Sequence, residues 1–289
     1  MDVVFNQLFA GLSMASILLI IALGLAIIYG TMGVINLAHG EFVMLGAYAT
    51  WALQSFAGLG VLAALPLVFA AVAAVGWVIE KLMVQRLYHR PLDTILATWG
   101  IGIILQQAVR LSVGAESRFV KGPELLSGNT EIGALVMSNY RLFVIAFSIF
   151  VLVGSWMLMT RTEFGTKLRA VIQNRGISEC YGIESKRIYS ITFAYGAGLA
   201  GIAGALITPL FSTIPTMGTG LVVDAFLVVI VGGLGSLIGA ASASVLIGEA
   251  TALLSAVMND TLGRIAVLAG IIILIRFRPR GLFPSDTRN

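Results

Sequence analysis

Three polar residues that could do chemistry, Asn36, His39 and Glu41, lie in a part of the sequence that is otherwise apolar. Apolar residues dominate positions 8–29 before them and 42–56 after them. A polar group left unpaired in hydrocarbon costs several kcal/mol, roughly, so such side chains face a bundle interior, a polar partner or a pathway. We therefore expect these three residues to mark a solute path inside a membrane protein.

Composition sets the protein class. The chain has 289 residues, of which 58% are hydrophobic and 11% charged, and a soluble core of ordinary size cannot bury so much apolar surface. This composition predicts an all-α fold, a polytopic transmembrane helical bundle in contact with membrane lipid. The formal net charge is +4, but the basic residues lie in short loops rather than in a stripe, so we expect no nucleic-acid partner. The single Cys180 excludes an internal disulfide.

The apolar stretches predict about nine membrane crossings. They are 8–29, 33–56, 59–79, 94–113, 141–160, 189–211, two passes within 221–257, and 262–275. The basic segments 80–93 and 161–187 and the basic C-terminus are expected in the cytoplasm. The N-terminus and the polar segment 114–140 are then expected outside, which requires an odd number of crossings.

Glycines interrupt two of the apolar stretches. We predict packed turns at Gly40 and at Gly232, Gly233 and Gly235, because glycine allows close backbone contact or a break in a helix. The interruptions at 33–46 and 232–249 each contain an acidic residue, which favours an internal repeat with a transport site at its interface. The alternative is coincidence in a chain that contains 33 glycines.

Three motifs carry a family resemblance over nearly the whole chain. The stretch 33–41 reads GVINLAHGE, 169–174 reads RAVIQN with YGI at 181–183, and 231–239 reads VGGLGSLIG. Together they resemble the permease subunits of branched-chain amino acid type ATP-binding cassette importers. Within that group, RPLDTILATWG at 90–100 and LQQ at 105–107 are most similar to the urea-importer permeases.

The resemblance implies a single transmembrane permease domain, 1–289, that forms the path for urea or short-chain amides; the alternative solute is a branched-chain amino acid. It also implies a bacterial inner membrane, a second permease subunit of a different chain, two ATP-binding cassette ATPases and a solute-binding protein. The sequence contains no Gly-x-x-x-x-Gly-Lys-Ser/Thr loop for ATP phosphates. We accordingly expect no cofactor in this chain and ATP on the partner subunits.

Two other classes of function remain open. An ion-coupled secondary transporter would need paired charges inside the membrane, which only His39, Glu41 and Glu249 could supply. A membrane enzyme would need a nucleophile–base pair or a metal triad. His39 and Glu41 lack the two-histidine spacing of a zinc hydrolase, so we expect neither a catalytic site nor a metal site.

The basic segment 161–187 is the expected coupling loop to the ATPase. In it, Arg169, Gln173, Asn174 and Arg175 would face the partner, while apolar residues of a short helix face the membrane. A positive topology anchor explains the same charges equally well.

Three residues of the predicted 94–113 helix complete the expected solute path. Trp99 and Gln106 are seven residues apart and share a helix face, so an aromatic wall and an amide could meet one cavity. Thr98 adds a hydroxyl group. Gln106 could equally form a hydrogen bond to a neighbouring helix, which is common in membrane proteins.

Overall fold

The computed structural model describes residues 2–88, 90–132 and 135–283, most of which are helical. Along the chain the helices are α1 (Asp2–Met32), α2 (His39–Ala57), α3 (Val61–Leu82), α4 (Pro91–Val113), α5 (Asn139–Arg161), α6 (Glu163–Gln173), α7 (Arg175–Cys180), α8 (Ser185–Ile207), α9 (Met217–Gly232), α10 (Leu237–Val257) and α11 (Asp260–Phe277). Short 3-10 turns cover Val84–Arg86 and Glu124–Leu126.

Six of the described helices are long and apolar enough to cross a membrane: α1, α3, α4, α5, α8 and α10. Helix α9 is apolar but shorter. Helices α1 and α8 are mostly buried, whereas less than a third of the apolar window is buried in each of α3, α4, α5 and α10. The prediction of a polytopic helical bundle is therefore confirmed at the level of architecture.

A small hairpin in the polar segment 114–140 was not predicted. Its strands, β1 (Asn129–Ile132) and β2 (Leu135–Ser138), pair antiparallel, with Asn129 opposite Ser138. Upstream of the hairpin, Arg118 exchanges both backbone hydrogen bonds with Thr213, at 2.9 and 2.8 Å. The segment is thus tied to the chain that follows α8.

Helices α6 and α7 lie at one end of the bundle, which we call the basic end. Its basic residues come from α6–α7, the α3–α4 connection and the segment after α11; they include Arg86, Arg90, Arg169, Arg175, Arg278 and Arg280. Leu168 and Val171 of α6 are buried against Ile188 and Tyr189 of α8. Helix α6 is therefore amphipathic, but its apolar side packs on α8 of the bundle and does not face the membrane as predicted.

Helix α2 begins deep inside the bundle. The His39 ring nitrogen Nε2 lies 3.0 Å from the Ile21 carbonyl oxygen of α1, and Ile21 is eleven residues before the end of α1 at Met32. At 1.5 Å per residue, this contact lies about 16 Å from that end. The non-helical stretch 33–38, which starts with a left-handed Gly33 (φ 67°), therefore runs back along α1 before α2 starts.

Helix α9 begins at the same depth, against the start of α2. A Cβ atom on Gly40 would overlap the Gly218 carbonyl, and a Cβ on Gly218 would overlap the Gly40 carbonyl. From this contact α9 runs to the basic end, where Gly235 lies against Gly30. Helix α2 runs the other way, and its Gln54 exchanges hydrogen bonds with Lys121, at 2.9 and 2.7 Å.

The helix contacts of α1–α3 correspond to those of α8–α10. Gly24 of α1 and Gly196 of α8 approach one another as reciprocally as Gly40 and Gly218 do. The two most extensive antiparallel contacts of the bundle are α1 with α10 and α3 with α8. They are equivalent when α1 corresponds to α8 and α3 to α10. In this correspondence α9, which starts at Met217, takes the place of α2. The break predicted at 33–46 therefore corresponds to 208–218 and not to 232–249.

The turn between α9 and α10 is packed against the segment after α11. Gly233 and Gly235 have left-handed φ angles of 108° and 81°. Leu282 and Phe283 donate backbone hydrogen bonds to Val231 and Gly232, at 2.8 and 3.0 Å. A side chain at Gly233 would meet the Phe283 backbone, so only glycine leaves room for the C-terminal segment to pack here.

A pair of glycines on α9 tests the contact between the two helix starts. Gly218→Ala should destabilise the protein by about 1–3 kcal/mol or more, because its methyl group has no room against the Gly40 carbonyl. Gly220→Ala is the matched control, since a Cβ there meets no atom within 4 Å and alanine favours a helix. Thermal unfolding of both variants measures the difference. Equal unfolding temperatures would show that the two helix starts are not in close contact.

Candidate functional site

The break before α2 is held by two side chains that replace missing helical hydrogen bonds. The Ala38 backbone N–H donates to Asn36 Oδ1 at 3.0 Å, and the Leu37 N–H donates to Thr98 Oγ1 of α4 at 3.1 Å. Asn36 and Thr98 are fully buried. Since buried backbone donors need partners, these contacts allow non-helical chain inside the bundle.

His39 fastens the start of α2 to the middle of α1. Its ring is fully buried and contacts the Phe42 ring edge-on, with centroids 6.3 Å apart. Because a carbonyl oxygen only accepts, the contact with Ile21 places the proton of the neutral ring on Nε2. The other nitrogen, Nδ1, is then an acceptor, and it has no hydrogen-bond partner among the described residues.

Glu41 lies in the first turn of α2, between α4 and α9. Its side chain is 6% exposed, packs against Gly102 of α4 and faces the hydroxyl of Thr219 on α9. Within the described chain, carboxylate oxygen Oε2 of Glu41 and amide nitrogen Nδ2 of Asn36 have no hydrogen-bond partner. Each of these two buried atoms therefore keeps an unused hydrogen-bonding capacity.

Exposed residues flank Glu41 on both neighbouring helices, on a surface we call the α4–α9 face. It comprises Trp99 and Ile103 of α4 with Thr219, Gly220 and Val223 of α9. Trp99 is 58% exposed, so within this chain it forms one side of an open surface instead of a closed channel wall. Gln106 is half-buried one to two turns further along α4.

Sequence reasoning missed Thr219 and Gly218 as neighbours of the buried polar residues. The available signal was the run Gly218–Thr219–Gly220 shortly after Pro215, which repeats the small-residue character of the α2 start. Only the fold shows that the two starts meet.

The predicted coupling residues are partly engaged within their own chain. The Arg169 guanidinium donates to the Met159 carbonyl and to the Thr166 hydroxyl. The Asn174 side chain caps α7 by accepting from the Ile177 N–H at 3.0 Å. Gln173 is exposed.

Arg175 holds α7 against α8. It forms a 3.0 Å ion pair with Glu179 and lies over the Tyr189 ring, 5.8 Å from its centroid. The hydrogen bond from Arg175 holds the pKa of the Glu179 carboxyl below its usual value. Two large apolar side chains on the same short segment, Ile177 (57%) and Tyr181 (84%), are strongly exposed.

A buried hydrogen-bond network joins this end to the helices around α2. The fully buried Glu80 of α3 accepts from the Tyr88 hydroxyl and from the Ser190 hydroxyl of α8. The Tyr88 ring meets Tyr189 edge-on, with centroids 5.2 Å apart. Because Arg175 lies over the same Tyr189 ring, α7, α8 and the end of α3 form one packed unit.

The fold and the buried polar site define a multi-pass helical membrane protein with two helices interrupted inside the bundle. Residues 7–276 match the family described as "Branched-chain amino acid transport system / permease component". The chain belongs to this family of permeases, and the resemblance of its motifs to that family is thereby confirmed.

Individual relatives cover nearly the whole chain. It is 29% identical over 292 residues to the high-affinity branched-chain amino acid transport system permease protein BraD of Pseudomonas aeruginosa, covering 96% of this chain and 94% of that protein. It is 28% identical over 294 residues to LivH of Escherichia coli, with the same coverage. To LivM of Salmonella typhimurium it is 25% identical, covering 94% of this chain and 69% of that protein. No solved structure gives a significant match.

Thr98 offers a test of how the break is held. Thr98→Val keeps the shape but removes the acceptor of the Leu37 N–H, and a buried donor left unpaired costs about 1–3 kcal/mol. Thr98→Ser restores the hydroxyl group and should recover most of that loss. Thermal unfolding of the purified chain measures both variants. If valine and serine destabilise it equally, the hydrogen bond does not hold the break.

Proposed function

We propose that this chain is a permease subunit of an ATP-binding cassette importer for branched-chain amino acids in a bacterial inner membrane. It works with a second permease of LivM type, two ATPase subunits that bind the ATP, and a solute-binding protein. The family and the relatives named above support the solute class. The chain itself supplies the path and not the energy.

One observation carries the choice of solute: the unpartnered carboxylate oxygen of Glu41 beside the starts of two helices. A zwitterionic amino acid brings an ammonium group, for which a buried carboxylate is the natural partner. Its own carboxylate is favoured near helix N-termini, where the helix dipole is positive. Urea is neutral and gains little from a fixed charge.

The α4–α9 face is the side of the chain that we assign to the solute path. Glu41, Asn36 and His39 are buried beneath this face, and the exposed Trp99 lies at its edge. Because this face is open within one chain, the second permease would supply the opposite wall.

The contacts support nine crossings with the N-terminus outside and the C-terminus inside. Helices α2 and α9 each complete one crossing together with the non-helical stretch before them, 33–38 and 208–216. Helix α11 adds one to the six long helices. The charge of the basic end assigns that end to the cytoplasm.

The segment 161–187 is the docking element for the ATPase. It presents Gln173, Ile177 and Tyr181 outward, while its buried side joins α8. We assign Arg169, Asn174 and Arg175 to shaping this element, because each is engaged with its own chain. The hydrogen bonds of Glu80 would then transmit movement of this element to α3 and α8.

Urea is the second candidate solute. Trp99 and Gln106 lie on α4 within the 90–107 stretch that resembles the urea-importer permeases, and both carry neutral groups suited to an amide. A path lined by Trp99 and Gln106, in which the solute makes no contact with Glu41, would accept a small neutral solute.

Competition transport with the complete importer in vesicles separates the two solutes. We expect excess leucine to block uptake of labelled leucine, and excess urea to leave it unchanged. Glu41→Gln should lower leucine uptake at least about tenfold, because it removes the partner of the ammonium group, a loss of ~1.4 kcal/mol or more. Glu249→Gln, a second membrane carboxylate with an unpartnered oxygen, is the matched control.

Three results would contradict this assignment. Uptake of urea that leucine does not affect would favour the neutral path. Equal losses of leucine uptake in the Glu41 and Glu249 variants would show that Glu41 is not part of the solute site. Uptake that persists with an inactive ATPase would favour an ion-coupled transporter.

The docking element has its own test. Ile177→Asp should weaken assembly with the ATPase or uncouple ATP hydrolysis from uptake, because it places a charge on an exposed apolar contact. Leu125→Asp is the control, since Leu125 is equally apolar and 89% exposed at the opposite end of the bundle. The measurement is ATP hydrolysed per solute imported. Wild-type coupling in the Ile177 variant would exclude α7 from the interface.

A further inference from the structure

A cavity of about 500 Å³ lies at the basic end, away from Glu41. It is lined by the end of α1, the end of α5, α6, the α9–α10 turn and the segment after α11. Its walls are largely apolar and include Ile27, Leu168, Ile172, Ile230 and Leu237. We refer to it as the basic-end cavity.

Two arginines stand at this cavity, Arg169 of α6 and Arg280 of the C-terminal segment. The Arg169 guanidinium is fixed by the Met159 carbonyl and the Thr166 hydroxyl. Arg280 is exposed, and within residues 2–88, 90–132 and 135–283 no acidic side chain pairs with it. The cavity therefore combines an apolar interior with two cationic groups and no carboxylate among its lining residues.

Such a combination matches one class of ligand. A guanidinium binds phosphate oxygens through charge-assisted, often paired hydrogen bonds, and apolar walls accept an acyl chain. Basic pockets between helices at the cytoplasmic side of a membrane are the sites that anionic lipid headgroups occupy. A soluble phosphate would leave the apolar walls uncovered.

We propose that the basic-end cavity binds an anionic phospholipid, with its phosphate at Arg280 and Arg169 and an acyl chain against Ile27, Ile172 and Ile230. The bound lipid would join α6, the docking element, to the α9–α10 turn, because the cavity touches both. The lipid site does not depend on the identity of the transported solute.

The test uses the full-length chain in detergent with phosphatidylglycerol or phosphatidylcholine. We expect phosphatidylglycerol to raise the unfolding temperature more than phosphatidylcholine does. Arg280→Ala should weaken this effect at least about tenfold in lipid concentration, equivalent to ~1.4 kcal/mol. Arg278→Ala removes the same charge two residues away, outside the cavity lining, and should behave as wild type.

A second variant tests the cavity without altering charge. Thr160 is exposed on α5 and lines the cavity, so Thr160→Phe should fill the space and also reduce the lipid effect. If Arg280→Ala does not fold, the effect of phosphatidylglycerol on the Thr160→Phe variant tests the proposed site by itself.

Each opposite result overturns the proposal. Equal losses in the Arg278 and Arg280 variants would indicate diffuse attraction of anionic lipid to the basic end. Equal stabilisation by glycerol phosphate would identify a soluble anion as the ligand. Equal effects of the two lipids on the wild-type chain would exclude a site for anionic lipid.

Discussion

The backbone contact between Gly40 and Gly218 is the constraint on which the rest of the structure depends. Two helices begin there, inside the bundle, and at the buried α2 start the protein itself must satisfy the free backbone groups. Such starts are tolerated only where protein groups or a polar cavity satisfy the chain. Asn36 and Thr98 do so at the α2 start. The polar residues first noticed in the sequence therefore include the hydrogen-bond partners that this geometry requires.

The same constraint gives the buried polar groups different roles. Asn36 Oδ1, Thr98 and His39 Nε2 are used to hold the chain. Asn36 Nδ2, His39 Nδ1 and Glu41 Oε2 remain unpartnered within the described residues, and the Glu41 side chain lies against both α4 and α9. Helix α8 connects this region to the basic end, since it packs on α2 through Gly201 and Gly204 and on α6 through Tyr189. The proposed solute site and the proposed docking element thus share one central helix.

Much of the fold could be predicted because the signals are local. The predicted spans 94–113 and 141–160 correspond to Pro91–Val113 and Asn139–Arg161, since apolar length alone defines them. The glycine-rich turn after α9 was also predicted. The start of α9 inside the bundle was not, because Gly218 is recognisable only by its contact with Gly40. The function of Trp99 stays a prediction, since its environment depends on a second chain.

Cysteine accessibility tests the central claim most directly, that solute passes along the α4–α9 face at the meeting of two interrupted helices. In a Cys180→Ser background, Gly220→Cys is placed on the exposed surface next to Thr219, which faces Glu41, and Ile149→Cys on the exposed apolar surface of α5 serves as the control. The assembled importer is then treated with a water-soluble thiol reagent, with and without leucine. We expect that position 220 reacts, that leucine slows the reaction, and that position 149 does not react. Equal reactivity at both positions, or a rate at 220 that leucine does not change, would contradict it.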